Sequence, residues 1–227
     1  MEKITNFLNE PKIVAIVGNV NSGKSNLIYY LIEKFKEDFQ VSIYTYGLKK
    51  KISETKEIFS IKELEKIKDS VIILDEFFNI LDLEDRKNRR SIEQSFRLLH
   101  HNNNILILSG LPENFKKFIS AKLNIILYKQ VTIEDFINGS SVKRNILNYS
   151  GDERGTAILH LDKKDVIIYD GEHYHKQIIP YLSKYDTKKD NKQILKKKCK
   201  KNVIKKCGKN KRTKKFINKH KHKLIYN

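Results

Sequence analysis

Gly18-Asn19-Val20-Asn21-Ser22-Gly23-Lys24-Ser25 reads G-x-x-x-x-G-K-S, and each fixed position in that spacing has a chemical use. Gly18 and Gly23 permit a backbone that turns successive N–H groups inward, where they can hold an anion at the positive end of the following helix. Lys24 can reach the β- and γ-phosphates of a nucleoside triphosphate, and the Ser25 hydroxyl can ligate Mg²⁺. With Asn26, the stretch from 18 to 26 forms the candidate cofactor-binding set, and ATP with Mg is the cofactor it implies.

Hydrolysis of a bound triphosphate also needs an acid that holds the metal through water at the tip of a neighbouring strand. Asp75 closes the apolar run VIIL, about fifty residues after Ser25, and is the second candidate metal residue. Glu76 follows directly, where a carboxylate can polarise the attacking water as general base. Ser109 ends the next apolar run, ILIL, and is a candidate polar sensor of the γ-phosphate or an ordinary strand cap. A transition state that gathers negative charge can also be met by an arginine, here supplied by a neighbouring subunit. Arg86, Arg89, Arg90, Arg97, Arg144 and Arg154 are the candidates; Arg154 and Arg97 are preferred, and most of the others read as solvated surface charge.

Elements that could position these residues alternate between short apolar runs and longer amphipathic stretches, the pattern of an α/β fold with a parallel sheet. Strands are expected at Lys12 to Val17, Val41 to Tyr46, Val71 to Leu74, Ile105 to Leu108 and Asn124 to Tyr128. Helices are expected from about Ser25 to Phe39, over IKELEKIK behind the Ser60/Glu63 capping signature, from Leu83 to His101, and from Pro112 to about Lys122. Ala157 to Leu161 and Val166 to Tyr169 flank a turn-like LDKKD and suggest an antiparallel hairpin at the sheet edge.

The 227 residues suffice for one buried core and an appendage, and the charge divides accordingly. Net charge is +19, but positions 187 to 227 hold 18 Lys/Arg against the single acid Asp190. That leaves 28 basic and 26 acidic residues for positions 1 to 186, a nearly neutral body. The expected map is a P-loop ATPase domain over 1–186 and a lysine-rich, disordered tail over 187–227. Such a tail attracts the phosphate backbone of DNA through counterion release, without reading bases, since Phe216 and Tyr226 are its only aromatics. A solubilising end, an acidic membrane surface or an acidic protein patch are other uses of the same charge.

Cys199 and Cys207 both fall in the tail, with His220 and His222 at no recognised zinc-ligand spacing. No run approaches the roughly 18 apolar residues of a membrane helix, so no integral membrane segment is expected and a cytoplasmic setting is the default.

The order of the cradle, DEFFNIL, FRLLHHNNN, ILILSGLPENF, ISAKLNIILY and GDERGTAILHL resembles the FtsK–HerA family of DNA-pumping ATPases over about residues 12 to 170. That resemblance implies a RecA-like (ASCE) core with strand order 5-1-4-3-2, the edge hairpin being an addition to it. It also implies a homo-oligomeric ring, often a hexamer, and ATP-driven movement of DNA. Lys24, Ser25, Asp75 and Glu76 would carry the family's roles. The family commonly places a glutamine after the sensor strand, whereas this chain has Ser109-Gly110-Leu111-Pro112. The small size matches a viral packaging member, which would place the chain in host cytoplasm or virion. Two other classes share these residues: a thymidine-kinase-like nucleoside or nucleotide kinase, and a non-catalytic scaffold switched by ATP on DNA or a membrane.

Overall fold

The computed structural model of the chain describes residues 4–79, 93–94, 96–98, 101–115, 119, 121–132 and 157–185. The described residues fall in one compact unit, Met1–Tyr185.

Eight strands form one mixed sheet. They are β1 (Ile13–Val17), β2 (Ser42–Tyr46), β3 (Lys56–Glu57), β4 (Ser70–Leu74), β5 (Ile105–Gly110), β6 (Ile125–Tyr128), β7 (Asp165–Tyr169) and β8 (Tyr174–Ile178). Their spatial order is β3-β2-β4-β5-β1-β6-β7-β8. The five expected strands thus lie in the expected RecA-like sequence, fifth-first-fourth-third-second, all parallel. A two-residue parallel strand, β3, is added at one edge and an antiparallel pair, β7–β8, at the other.

The central strands are apolar along their whole length because both faces are covered. In β1, Val14 and Ile16 face the cluster containing Leu27, Leu31 and Phe35 of helix α1 (Lys24–Phe39). Ile13, Ala15 and Val17 face the opposite cluster, with Phe77, Phe96 and Phe115. Burial on both sides replaces the usual alternation of apolar and polar residues by a continuous run. Each fully buried Leu, Ile or Phe of α1 contributes about 2 kcal/mol, so the helix that opens at Lys24 is anchored from below.

A last segment returns across α1. Asn26, Tyr29 and Glu33 share one helix face. Asn26 bonds Pro180 and Leu182, Tyr29 stacks on Tyr185 with centroids 4.3 Å apart, and Glu33 accepts from the Tyr185 hydroxyl at 2.9 Å.

Several expected elements take other forms. Ala157–His160 is a 3₁₀ turn, not a strand, and the edge hairpin pairs β7 with β8 instead. The stretch IKELEKIK holds a 3₁₀ helix, Ile61–Lys66, too short to sustain α-helical hydrogen bonding. Its Ser60 hydroxyl bonds the Glu63 carboxylate, while that carboxylate accepts from the Phe59 N–H at 3.2 Å. Pro112 opens a 3₁₀ turn, Pro112–Asn114, which closes when the Asn114 side chain accepts from the Leu111 N–H at 2.8 Å. Of the rest of the expected helix Ile119 is helical, while residues 116–118 and 120 lie outside the described residues. Residues 93–94, 96–98 and 101 of the expected long helix are helical; the rest of it lies outside the described residues.

Candidate functional site

The phosphate loop leaves the end of β1 and enters α1, with β6 alongside. Asn19 donates its N–H to the Gln130 carbonyl at 3.0 Å, and Lys129 donates to Val17 at 2.8 Å, so the loop starts as a continuation of the β1–β6 ladder. It then turns tightly: Asn21 and Gly23 take positive φ of 63° and 96°, and Ser22 donates its N–H to the Asn19 carbonyl. Gly23 is required here on two counts. Its φ lies where L side chains are strained, and a methyl there would approach the Lys163 carbonyl to 2.6 Å. Val20, at the loop's tip, is 72% exposed, whereas Ser22 is buried with a hydroxyl that has no partner.

The Lys24 ammonium curls back over the loop, donating to the carbonyls of Gly18 at 2.7 Å and Asn19 at 2.9 Å. Burial pushes it below the ordinary lysine value, while Asp75, Glu76 and Glu113 act against that fall. A partly desolvated cation, held by backbone carbonyls and within the field of these carboxylates, is placed to meet an anion seated on the loop.

Strand order places the carboxylates. β5 lies between β1 and β4, with Ile16 opposite Ser109, Val17 opposite Gly110 and Leu74 opposite Leu108. Asp75 continues β4 by donating its N–H to the Tyr46 carbonyl at 2.9 Å. The Ser25 hydroxyl reaches across to Asp75 Oδ2 at 3.4 Å. Asp75 is 3% exposed, and burial raises its carboxyl above the usual value. The Ser109 hydroxyl opposes that rise, although it makes no hydrogen bond of good geometry and is itself fully buried.

At Glu76 the chain turns outward through a φ of 49°, so adjacent carboxylates diverge: Asp75 points into the protein and Glu76 into solvent. Asn79 caps the turn, donating its backbone N–H to the Glu76 carbonyl at 2.9 Å and its side-chain amide to the carboxylate at 3.4 Å. Gly47, also left-handed at φ 76°, lets β2 end directly against this turn, since a methyl there would fall 2.4 Å from the Asp75 carbonyl.

The structure therefore brings Lys24, Ser25, Asp75, Glu76 and Ser109 together at the carboxyl end of the parallel strands. Asn26 differs from the expected set, because its side chain is committed to Pro180 and Leu182. Arg97 is exposed, and Arg86, Arg89, Arg90, Arg144 and Arg154 lie outside the described residues, as does the tail. Sequence reasoning missed Glu113, Gly47 and Lys129. A glycine directly after a strand signalled Gly47; nothing in the sequence separates Lys129 from the other basic residues.

The donor set fits a magnesium nucleotide. A hydroxyl and a buried carboxylate face each other within one cation's reach, beside the glycine-framed loop and a partly desolvated lysine. Among the described residues no cluster of three His, Cys, Asp or Glu side chains could hold a metal by itself. No described helix is long and apolar enough to cross a membrane.

No protein-family model matches the sequence, and no curated protein matches it. Solved structures do. The genome-packaging NTPase B204 of Sulfolobus turreted icosahedral virus 2, in complex with sulfate, superposes with a TM-score of 0.54 at 18% identity over 77% of this chain and 98% of that one. The DNA-packaging ATPase B204 of Sulfolobus turreted icosahedral virus gives 0.55 at 17% identity, over 76% and 100%. The conjugation coupling protein TcpA of pCW3, with ATPγS, gives 0.54 at 14% identity over 80% of this chain and 63% of that one. Strand order, phosphate loop and these likenesses agree: the chain has the RecA-like P-loop fold of these packaging NTPases and of the conjugation coupling protein.

Proposed function

We propose that the chain is an ATP-hydrolysing motor of the FtsK–HerA type that moves or packages DNA. The observation that carries the chemistry is the approach of Ser25, in the first turn of α1, to Asp75 at the end of β4, 3.4 Å apart beside a glycine-framed loop and Lys24. In this reading residues 18–25 hold the phosphates through backbone N–H groups and Lys24 neutralises the β- and γ-phosphates. Ser25 would hold Mg²⁺ directly and Asp75 through water, the ion offsetting charge on the phosphate oxygens. Glu76, turned toward solvent, accepts a proton from the attacking water, and Ser109 lies beside Asp75 where a γ-phosphate sensor would act.

Support for DNA as the object comes from two sides. The fold is shared with proteins described as genome- or DNA-packaging NTPases and as a conjugation coupling protein. The lysine-rich segment from 187, with 18 basic residues, has the charge to hold a phosphate backbone without sequence preference. A homo-oligomeric ring, a hexamer in the commonest form of such motors, completes the proposal. Arg154 or Arg97 would then supply charge to the neighbouring subunit's γ-phosphate.

Phosphate release from ATP and Mg²⁺, with and without DNA at low and moderate salt, tests this beside Glu76→Gln. A DNA-stimulated rate abolished by that substitution is expected. Turnover indifferent to DNA would sink the motor; ADP production that depends on an added nucleoside would make the protein a kinase.

A further inference from the structure

Lys129, the residue after β6, is fully buried although it carries an ammonium. Its stem runs beneath the phosphate loop. A methyl on Gly18 would meet Lys129 Cβ at 2.6 Å, and one on Gly23 would meet Lys129 Cε at 3.4 Å. The ammonium continues past the loop to the turn before β7, donating to the Lys163 carbonyl at 2.9 Å and to the Asp165 carbonyl. The turn presses on the loop in return, since the Lys163 carbonyl lies 2.6 Å from where a Gly23 methyl would stand. Burial brings the ammonium down to about 8, the Asp165 carboxylate acting against that fall.

An apolar side chain of the same length would fill this space without desolvating a charge. What the ammonium adds to the β6–β7 ladder is a bond from the residue packed under the phosphate loop to the turn before β7. Neighbouring bonds run the same way. Gln130 accepts from the Asn19 N–H through its carbonyl, and its side-chain amide donates to the Leu159 carbonyl at 3.1 Å. Past the turn, Asp165 pairs with Lys176 of β8 at 2.9 Å, so the connection reaches the outermost strand.

We infer that Lys129 is a positioning residue that ties the phosphate loop to the 162–165 turn, so that a phosphate seated on the loop also steadies the β7–β8 hairpin. The inference rests on the nucleotide reading of the loop and adds a route from it. The hairpin is the sheet's outer edge, and through Lys129 the occupancy of the loop is felt at that surface.

Hydrogen exchange read by mass spectrometry on the full chain, with and without Mg²⁺ and ATPγS, tests this beside Lys129→Met, which keeps the stem and removes the ammonium. In the unsubstituted chain the nucleotide is expected to slow exchange at residues 18–27 and, by about tenfold, at 162–169. In Lys129→Met the loop should still slow, while 162–169 changes by less than about twofold. Slowing confined to 18–27 in the unsubstituted chain overturns the coupling, whether or not the variant folds. Equal slowing of 162–169 in the variant overturns it as well. No slowing at 18–27 overturns the nucleotide reading and this inference together.

Discussion

Ser25 and Asp75 lie fifty residues apart in sequence and 3.4 Å apart in space, the hydroxyl of a helix's first turn meeting the carboxylate of a strand's end. The intervening chain forms the rest of α1, crosses to β2 and returns through β4, and β5 spaces the two elements. A divalent cation between phosphate oxygens and these two groups loses one direct ligand in Ser25→Ala. That variant is expected to lower phosphate release about a hundredfold. Its ATP affinity measured in EDTA should stay unchanged; an equal loss with and without the metal would remove Ser25 from the cation's coordination.

Asp75 is stabilised in its neutral form by burial, so the folded state takes up its proton more readily than the unfolded chain does. Between the ordinary aspartate value and the raised one, the folded state binds more protons, and stability falls as pH rises through that window. At neutral pH the ionised side chain therefore weakens the nucleotide-free fold. Asp75→Asn is expected to raise stability by about 1 kcal/mol at pH 7 while abolishing hydrolysis. Thermal midpoints recorded down the pH scale should show the gain shrinking toward the ordinary aspartate range, and a midpoint lowered at pH 7 would contradict the argument.

Gly47→Ala places a methyl 2.4 Å from the Asp75 carbonyl, on a backbone at φ 76° that alanine adopts under strain. The expected cost is about 2 kcal/mol or more, and part of it should appear as displacement of Asp75. Chemical denaturation and phosphate release should both suffer. A variant that melts earlier yet hydrolyses ATP at the original rate would show that β2 yields in place of Asp75.

Asn26→Ala separates two uses of a residue that sits immediately after the phosphate loop. Its amide holds Pro180 at 3.1 Å and Leu182 at 2.9 Å, so truncation should cost about 1 kcal/mol of stability. ATP affinity should change by less than about twofold, because the backbone N–H is untouched. Titration calorimetry showing a large loss of affinity would return the side chain to the nucleotide.

Much of this architecture was legible in the sequence because parallel strands covered on both faces leave continuous apolar runs. IVAIV, SVIIL, ILILSG and IILY are those runs, and the loop and carboxylate motifs attach directly to their ends. The edge was harder to read. AILH is as apolar as a strand but forms a 3₁₀ turn, and the true partner of β7 is YHKQI, whose polar and aromatic residues are half exposed. A signal was present in Asp170-Gly171, where the Asp170 carboxylate accepts from the N–H groups of Glu172 and His173 and Gly171 takes φ 106°. Lys129 left no such trace: a lysine after an apolar strand reads as solvated, and only the carbonyls of a turn 34 residues later make its burial tolerable.

The sheet's two margins are unlike its middle. One ends in two charged residues, Lys56 and Glu57, too few to template another strand. The other ends in β8, where Lys176 stands 56% exposed at the side chain beside His175. Short and charged borders resist the edge-to-edge stacking through which open sheets aggregate. If copies of this domain assemble as proposed, these borders favour side-chain contacts over continuation of the sheet. In the proposed ring such contacts could loosen and re-form as nucleotide turns over, whereas a continued hydrogen-bonded ladder would lock neighbouring copies together.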